Sequence, residues 1–471
     1  MTRITRSAAA LAAALMLIAP ALWNGFPLLQ FDTGGYFARW HEGTLEESRS
    51  TVYGAFLNLL SWPDFWPAVV AQAAAAVWII ALVLRVHGLG GRSRVLVVTI
   101  AALSVVTTLP WLTSQLLTDV FAGLGVLALY LIVVRADALA PWERVALIVF
   151  VAFAAATHNA TLAVLMMLVA AGLLIALFKG DAALLRGGAR GALALALGAA
   201  LLVACNYAVA RRLAWTPGGI GLAFGRMLND GIVKRYLAEH CPDPRFRLCD
   251  HLRELPDDAD TFFWGESVFD RLGRFEGMNE EMRAIAVESI AAYPWLQLKG
   301  AVFATAKQLV LVATGYGVQA DIWHTYGTIE TFAPEMLPAM KAARQQKGEL
   351  DFKAINRVHV PVALAAMALL IGVIVLAVRR ERYGDLGWLA AAVALAILAN
   401  AFVCGVLSNP HDRYGARMIW LAVLVVLLVP WRIGRRDAPR YLSSTSGMKR
   451  TFPSLEIRCR SPFRPTIERC S

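Results

Sequence analysis

The chain has 471 residues, 58% of them hydrophobic and 17% charged, with a formal charge of +11 and a mean hydropathy of +0.56. A soluble domain usually carries about 25% charge, so a purely soluble fold is excluded. Apolar runs of about 20 residues, each long enough for a hydrocarbon core of about 30 Å, point to an all-α polytopic membrane protein. A β-barrel is excluded, because its strands would alternate polar and apolar residues and these runs do not. The positive excess gathers largely in short loops, where it sets topology, and no basic stripe interleaved with aromatics suggests nucleic acid.

In chain order, the first span is expected at 7–29, preceded by Arg3 and Arg6. It exceeds a usual signal-peptide core and shows no clear cleavage site, so it reads as a retained helix. Further spans are expected at 66–84, 95–112, 118–134, 145–157, 159–178, 191–210, 361–378, 386–407 and 416–431. The pair around "ATHNAT" (155–161) is either two short helices or one helix broken at His158-Asn159. Loops carrying Arg85, Arg92 and Arg94, then Arg135 and Arg144, then Lys179, Arg186 and Arg190, then Arg379, Arg380 and Arg382, and finally Arg432, Arg435 and Arg436 all fall on one side. The positive-inside rule then gives about ten spans with both termini cytoplasmic, in a plasma or inner membrane. Arg211 and Arg212 are a mild exception.

This divides the chain into an N-terminal transmembrane bundle (1–210), an outer-face insert (211–360), C-terminal transmembrane helices (361–431) and a disordered cytoplasmic tail (432–471). The first outer loop is 30–65. Within the insert, 295–315 carries Lys299 and Lys307 mid-run and reads as an amphipathic helix lying at the interface. Cys241 and Cys249 share one polar segment of the insert and could pair if it faces an oxidising compartment. Cys205 and Cys404 are expected as small core residues, and Cys459 and Cys470 belong to the tail. No Walker loop, GxGxxG, zinc-type CxxC pair or HExxH occurs, so no nucleotide or flavin site is legible. No metal ligand set is assigned, and a divalent metal is left open.

The span interiors carry almost no ionisable group, unlike the midplane of most ion-coupled transporters. The reactive side chains gather instead on the predicted outer face. Asp32, in "FDTGGY" just after the first span, reads alone as a turn-capping aspartate; in a partly buried site it is a candidate general base. Asp119, in "LLTDVFAGL", is alone a favourable helix N-terminal acid, and with Asp32 it is a second acid facing one cavity. His158 and Asn159 lie at the helix break and are candidates for binding substrate hydroxyls. "NPHDRYGAR" supplies His411, Arg413 and Tyr414, with Arg417 expected to snorkel. Arginine's planar fork suits a lipid phosphate, and Arg39 and Arg49 in the first outer loop are further phosphate candidates. Tyr36 is expected as a cavity wall.

Asp32 after the first helix, "TSQLLTD" ending in Asp119 and the late Arg413-Tyr414 together resemble the GT-C superfamily of membrane glycosyltransferases. That superfamily includes the protein O-mannosyltransferases and the lipid A aminoarabinose transferase. The resemblance implies a GT-C-like fold and an enzyme that takes a polyprenyl-phosphate-linked sugar on the non-cytoplasmic face. It implies transfer to a lipid, glycan or protein acceptor of the cell envelope, with inversion at the anomeric carbon. Asp32 would be the base, and Arg413, with Arg39 or Arg49, would clamp the phosphate. Thr33 follows Asp32 where many members have a second acid, and the long insert matches no named subfamily. Two other readings are a transporter or flippase of lipid-linked sugars, which needs no base, and a non-catalytic membrane subunit.

Overall fold

A computed structural model describes residues 3–90, 92–215 and 219–433, and apart from two isolated bridges its regular elements are all helical. The tail expected to be disordered, with Cys459 and Cys470, lies outside the described residues. The N-terminal part comprises α1 (Arg3–Leu17), α2 (Ala19–Asn24), α3 (Thr33–Glu42), α4 (Thr51–Leu59), α5 (Trp66–Val86), α6 (Ser93–Val106), α7 (Leu109–Ser114), α8 (Asp119–Val134), α9 (Pro141–Thr157), α10 (Asn159–Lys179) and α11 (Ala182–Ala210). The insert folds as α12 (Gly219–Asn229), α13 (Ile232–His240), α14 (Ala259–Trp264), α15 (Val268–Arg271), α16 (Arg274–Ala292), α17 (Pro294–Val310), α18 (Trp323–Phe332) and α19 (Leu337–Ala342). Then come α20 (Phe352–Arg379), α21 (Gly384–Leu407) and α22 (Asp412–Ile433).

Six of these, α5, α10, α11, α20, α21 and α22, are long and apolar enough to cross a membrane, and α1, α6 and α8 are shorter apolar helices. The chain is thus a helical, multi-pass membrane protein. Each expected span falls on helix, but two are interrupted. The first splits between Leu17 and Ala19, where Pro20 sits in the first turn of α2. The third splits at Thr107-Thr108, with Pro110 in the first turn of α7. Proline is tolerated in a helix's first turn because the N–H it lacks has no partner there.

These interruptions let backbone leave the helices and pair. Leu28 and Gln115 form a parallel bridge: Leu28 N–H donates to the Ser114 carbonyl at 2.9 Å, and Leu116 N–H donates to the Leu28 carbonyl at 2.9 Å. The Thr33 hydroxyl adds a bond to the Leu116 carbonyl at 3.0 Å. Segments 28–33 and 114–119, far apart in sequence, are thereby held side by side.

At the opposite end of the bundle, basic side chains bind acids and helix-end carbonyls. Arg85 clasps Glu143 at 2.7 and 2.5 Å, Arg135 donates to the Val86 carbonyl at 2.5 Å, and Arg432 pairs with Asp385 at 3.0 Å. His87 meets the same Asp385 at 3.2 Å. The C-termini of α5, α8 and α22 therefore share one end with the N-termini of α9 and α21.

The insert is not one unit. Helices α12–α16 enclose a core of their own, built on Phe224, Phe262, Phe269, Phe275 and Met282. Residues 312–343 instead contribute Val312, Ile322, Ile329, Met336 and Met340 to the bundle core. Helix α20 starts at Phe352, within the expected insert, and runs through Pro361. Helix α17 joins the two parts. Its Gln308 donates to the His411 carbonyl at 2.9 Å, and its Gln297 accepts from Arg226, whose Nε donates to the Val406 carbonyl at 3.3 Å. The middle of α17 lies against α21, where a side chain on Gly405 would strike the Ala304 carbonyl, while Trp295, Leu298, Val302 and Phe303 face outward.

Cys241 and Cys249 are disulfide-bonded. By chain entropy so short a loop contributes about 2–3 kcal/mol. Cys241→Ser is expected to lower the unfolding free energy of the α12–α16 unit by about that amount, read by denaturant unfolding. Peptide mapping without reduction should recover the linked pair, and two free thiols would refute it.

Candidate functional site

Asp32 sits at the N-terminus of α3 and Asp119 at the first residue of α8, brought together by the bridge just described. Arg413, on the first turn of α22, lies between them. Its Nη1 donates to Asp32 Oδ2 at 2.5 Å and its Nε to Asp119 Oδ2 at 2.7 Å. The other Asp32 oxygen accepts from Arg49 Nη2 at 2.7 Å. Asp119 Oδ1 lies 3.5 Å from Arg417 Nη1, one helical turn beyond Arg413. The five side chains make one continuous network, in which three arginines face two carboxylates and leave one net positive charge.

Each member is held from behind. Arg417 is fully buried rather than snorkelling, because its Nε and Nη2 both donate to Asn400 Oδ1, at 3.0 and 2.7 Å. Asn400 in turn donates to the Tyr414 carbonyl at 2.7 Å. The Tyr414 ring lies 5.8 Å from the Arg413 guanidinium and 5.5 Å from that of Arg417. Buried charges survive only when paired and hydrogen-bonded, and this scaffold meets both conditions.

The two glycines of "DTGGY" have separate steric reasons. A side chain on Gly34 would strike the Thr325 backbone of α18, and one on Gly35 would crowd Arg49 Nε and Glu46. Gly34 N–H donates to Thr325 Oγ1 at 3.1 Å, and Gln345 clamps Leu29 through both its N–H and its carbonyl, at 2.9 and 2.8 Å. The second half of the insert is therefore what fixes the Asp32 loop. Gly34→Ala is expected to destabilise the protein by about 1–3 kcal/mol, the usual cost of overpacking, and an unchanged melting temperature in detergent would refute that contact.

Burial works to raise the Asp32 carboxyl, but Arg49 and Arg413 beside it outweigh burial and hold it at about 2. Burial, reinforced by the Asp32 carboxylate, pushes the Tyr36 phenol up to about 12. Tyr36 is buried edge-on against Tyr53, with the Arg49 guanidinium 5.8 Å from its ring. Burial, with Arg417 and Arg413 near, pushes the His158 imidazole well below its usual value, so it is neutral at pH 7.

Two clefts flank the network. The first, narrow and partly open, is lined by Ser48, Arg49, Ser50, His158, Asn159 and Trp215, among others. His158 is extended between α9 and α10, which resolves the "ATHNAT" region into two helices. The second, also narrow, lies against Asp119 and Arg413 and is walled by Trp111, Leu112, Tyr316, Val318 and Phe352.

The remaining sequence candidates lie further out. Arg39 is buried and engaged by Glu42 at 2.6 Å, Glu46 at 3.2 Å and the Gly35 carbonyl at 2.8 Å, so it reaches the network only through its neighbours. His411 packs on Tyr316 and lies 3.6 Å from Asp260 of α14, linking the site to the α12–α16 unit. Sequence reasoning missed Asn400 and Asn206. An asparagine inside an apolar helix is costly unless bonded, and that was the available signal. Among the described residues, no group of three or more His, Cys, Asp or Glu is placed to hold a metal ion.

The fold and site define a helical, multi-pass membrane protein with a buried ionic network at one end of its bundle. No protein-family model, curated protein or solved structure matches the chain.

Proposed function

We propose that the protein is an integral-membrane glycosyltransferase of the GT-C type, moving a sugar from a polyprenyl-phosphate donor to a cell-envelope acceptor. The observation that carries this proposal is Arg413 held between Asp32 and Asp119, with Arg49 completing a net-positive network between two clefts. The cleft at Arg413, with aromatic and aliphatic walls, suits a lipid-linked anion. Arg413 would stabilise the charge that develops on the leaving phosphate. Asp32 would take the acceptor's proton as its oxygen attacks the anomeric carbon, inverting it. Asp119 orients Arg413.

In the resting network both Asp32 oxygens are occupied, and a carboxylate held at about 2 is a poor base near neutrality. A bound phosphate competes for Arg413, releases one Asp32 oxygen and adds negative charge beside it. Donor binding thus readies the base, and donor precedes acceptor.

In this proposal about ten helices span a plasma or inner membrane, with the site on the non-cytoplasmic face, both termini cytoplasmic and α17 lying across the outer boundary. The Cys241–Cys249 bridge supports that side, since disulfides persist in oxidising compartments. The competing activity is translocation of the lipid-linked sugar. Vesicles reconstituted with the protein and a labelled polyprenyl-phosphate sugar separate the two: glycosidic product establishes a transferase, and translocation without product establishes a carrier.

A further inference from the structure

We propose that the cleft between the 45–50 loop, the α9–α10 break and the end of α11 is an acceptor subsite for a hydroxyl-rich, carbohydrate-like group. It rests on the transferase proposal and narrows the acceptor from lipid, glycan or protein to a glycan or other polyol.

Three observations carry it. First, two buried nitrogens of this cleft's lining have no hydrogen-bond partner, Arg49 Nε and His158 Nδ1. Leaving a buried polar atom unmet is costly, and a ligand group would relieve that cost. Second, the unmet groups suit hydroxyls. The guanidinium N–H donates only, whereas a neutral imidazole nitrogen donates or accepts according to its tautomer. A hydroxyl answers both. Third, the cleft presents an exposed aromatic plate. Trp215 is 42% exposed, and its backbone is tied down by Asn206, which donates to the Ala214 and Trp215 carbonyls at 2.9 and 2.6 Å. An aromatic face beside fixed polar groups fits the C–H face of a sugar ring.

Position completes the assignment. Arg49 borders this cleft and binds one Asp32 oxygen, while Arg413 borders the other cleft and binds the second. Asp32 therefore stands between the two compartments. An acceptor hydroxyl here attacks the anomeric carbon from the side opposite the phosphate. The new bond is acceptor oxygen to anomeric carbon, and the bond that breaks joins that carbon to the phosphate oxygen. The electron pair leaves on the lipid phosphate and the proton passes to Asp32.

Saturation-transfer NMR on the full chain in lipid nanodiscs, with methyl glycosides of common hexoses and pentoses as probes, tests this without turnover. Ethanolamine and a serine dipeptide serve as comparison probes. Saturation of at least one glycoside is expected, falling roughly ten-fold in apparent affinity in His158→Gln and in Trp215→Ala. Trp215 is exposed, so its truncation leaves the fold intact if His158→Gln does not. No glycoside signal, or signal unchanged in Trp215→Ala, overturns the subsite, as does stronger saturation of the amine or the dipeptide. If transfer from the polyprenyl donor persists while no glycoside binds, the subsite alone fails. If glycosides bind and no transfer occurs with any acceptor, the transferase proposal fails and the cleft stands as a glycoside-binding site without an acceptor role.

Discussion

Asp32→Asn is expected to lower sugar transfer by about 10²–10⁴-fold, the usual worth of a general base, while the protein still folds and still binds donor. The isosteric amide keeps an oxygen for one arginine, and Asp119 remains to balance Arg413 at 2.7 Å. Asp119→Asn should behave differently. Asp119 is almost fully buried between Arg413 and Arg417, so neutralising it leaves two arginines short of counter-charge. Breaking a buried pair costs about 3–5 kcal/mol; Asp119→Asn should therefore show a clearly lowered melting temperature. Normal transfer by Asp32→Asn in reconstituted membranes would remove Asp32 as the base.

The acidity of Asp32 gives this prediction a pH signature. Its carboxyl is held at about 2 in the folded protein, below the ordinary 3.8. Its ion pairs therefore contribute their full stability above pH 3.8, and lose it as the pH falls from 3.8 towards 2. Donor binding, by drawing off Arg413, should raise that carboxyl. The acid limb of kcat, which reports the bound complex, is then expected at higher pH than the acid limb of kcat/KM for the donor, which reports the free enzyme. Coincident limbs would refute release of Asp32 by the donor.

How much of this was legible in the sequence follows the range of the interactions. Apolar run length located the six helices long and apolar enough to span, because spanning depends on local composition alone. The breaks after Leu17 and Val106 were missed because apolar counting passes over Pro20 and Pro110, which shape the backbone without altering hydropathy. Asp32, Asp119 and Arg413 were legible as polar residues at the ends of apolar runs. Their direct pairing was not, since Asp32 and Arg413 lie 381 residues apart and only the assembled bundle joins them. The role of residues 312–347 was the least visible. Thr325 and Gln345 are ordinary polar residues in sequence, and their hold on Gly34 and Leu29 spans about 300 positions. Reading 211–360 as one insert therefore merged a separately cored unit with a segment that belongs to the site.

Arg413→Lys is the second substitution expected to have a large effect, because it separates charge from geometry. Lysine keeps the positive charge but has a single ammonium where arginine offers a fork. It can approach Asp32 or Asp119, but cannot reproduce Nη1 on one and Nε on the other. Against the donor phosphate, too, lysine offers one ammonium for arginine's fork; losing one charge-assisted bond there, worth about 1.5–3 kcal/mol, is roughly 10- to 150-fold in donor KM. Arg413→Ala goes further, leaving Asp32 and Asp119 facing one another with no cation between them. It should impair folding as well as transfer, and so cannot by itself assign the phosphate contact. The lysine variant, folded and measured for donor KM and kcat, can. An unchanged donor KM and kcat in Arg413→Lys would take the phosphate away from Arg413 and leave it a structural bridge between two acids.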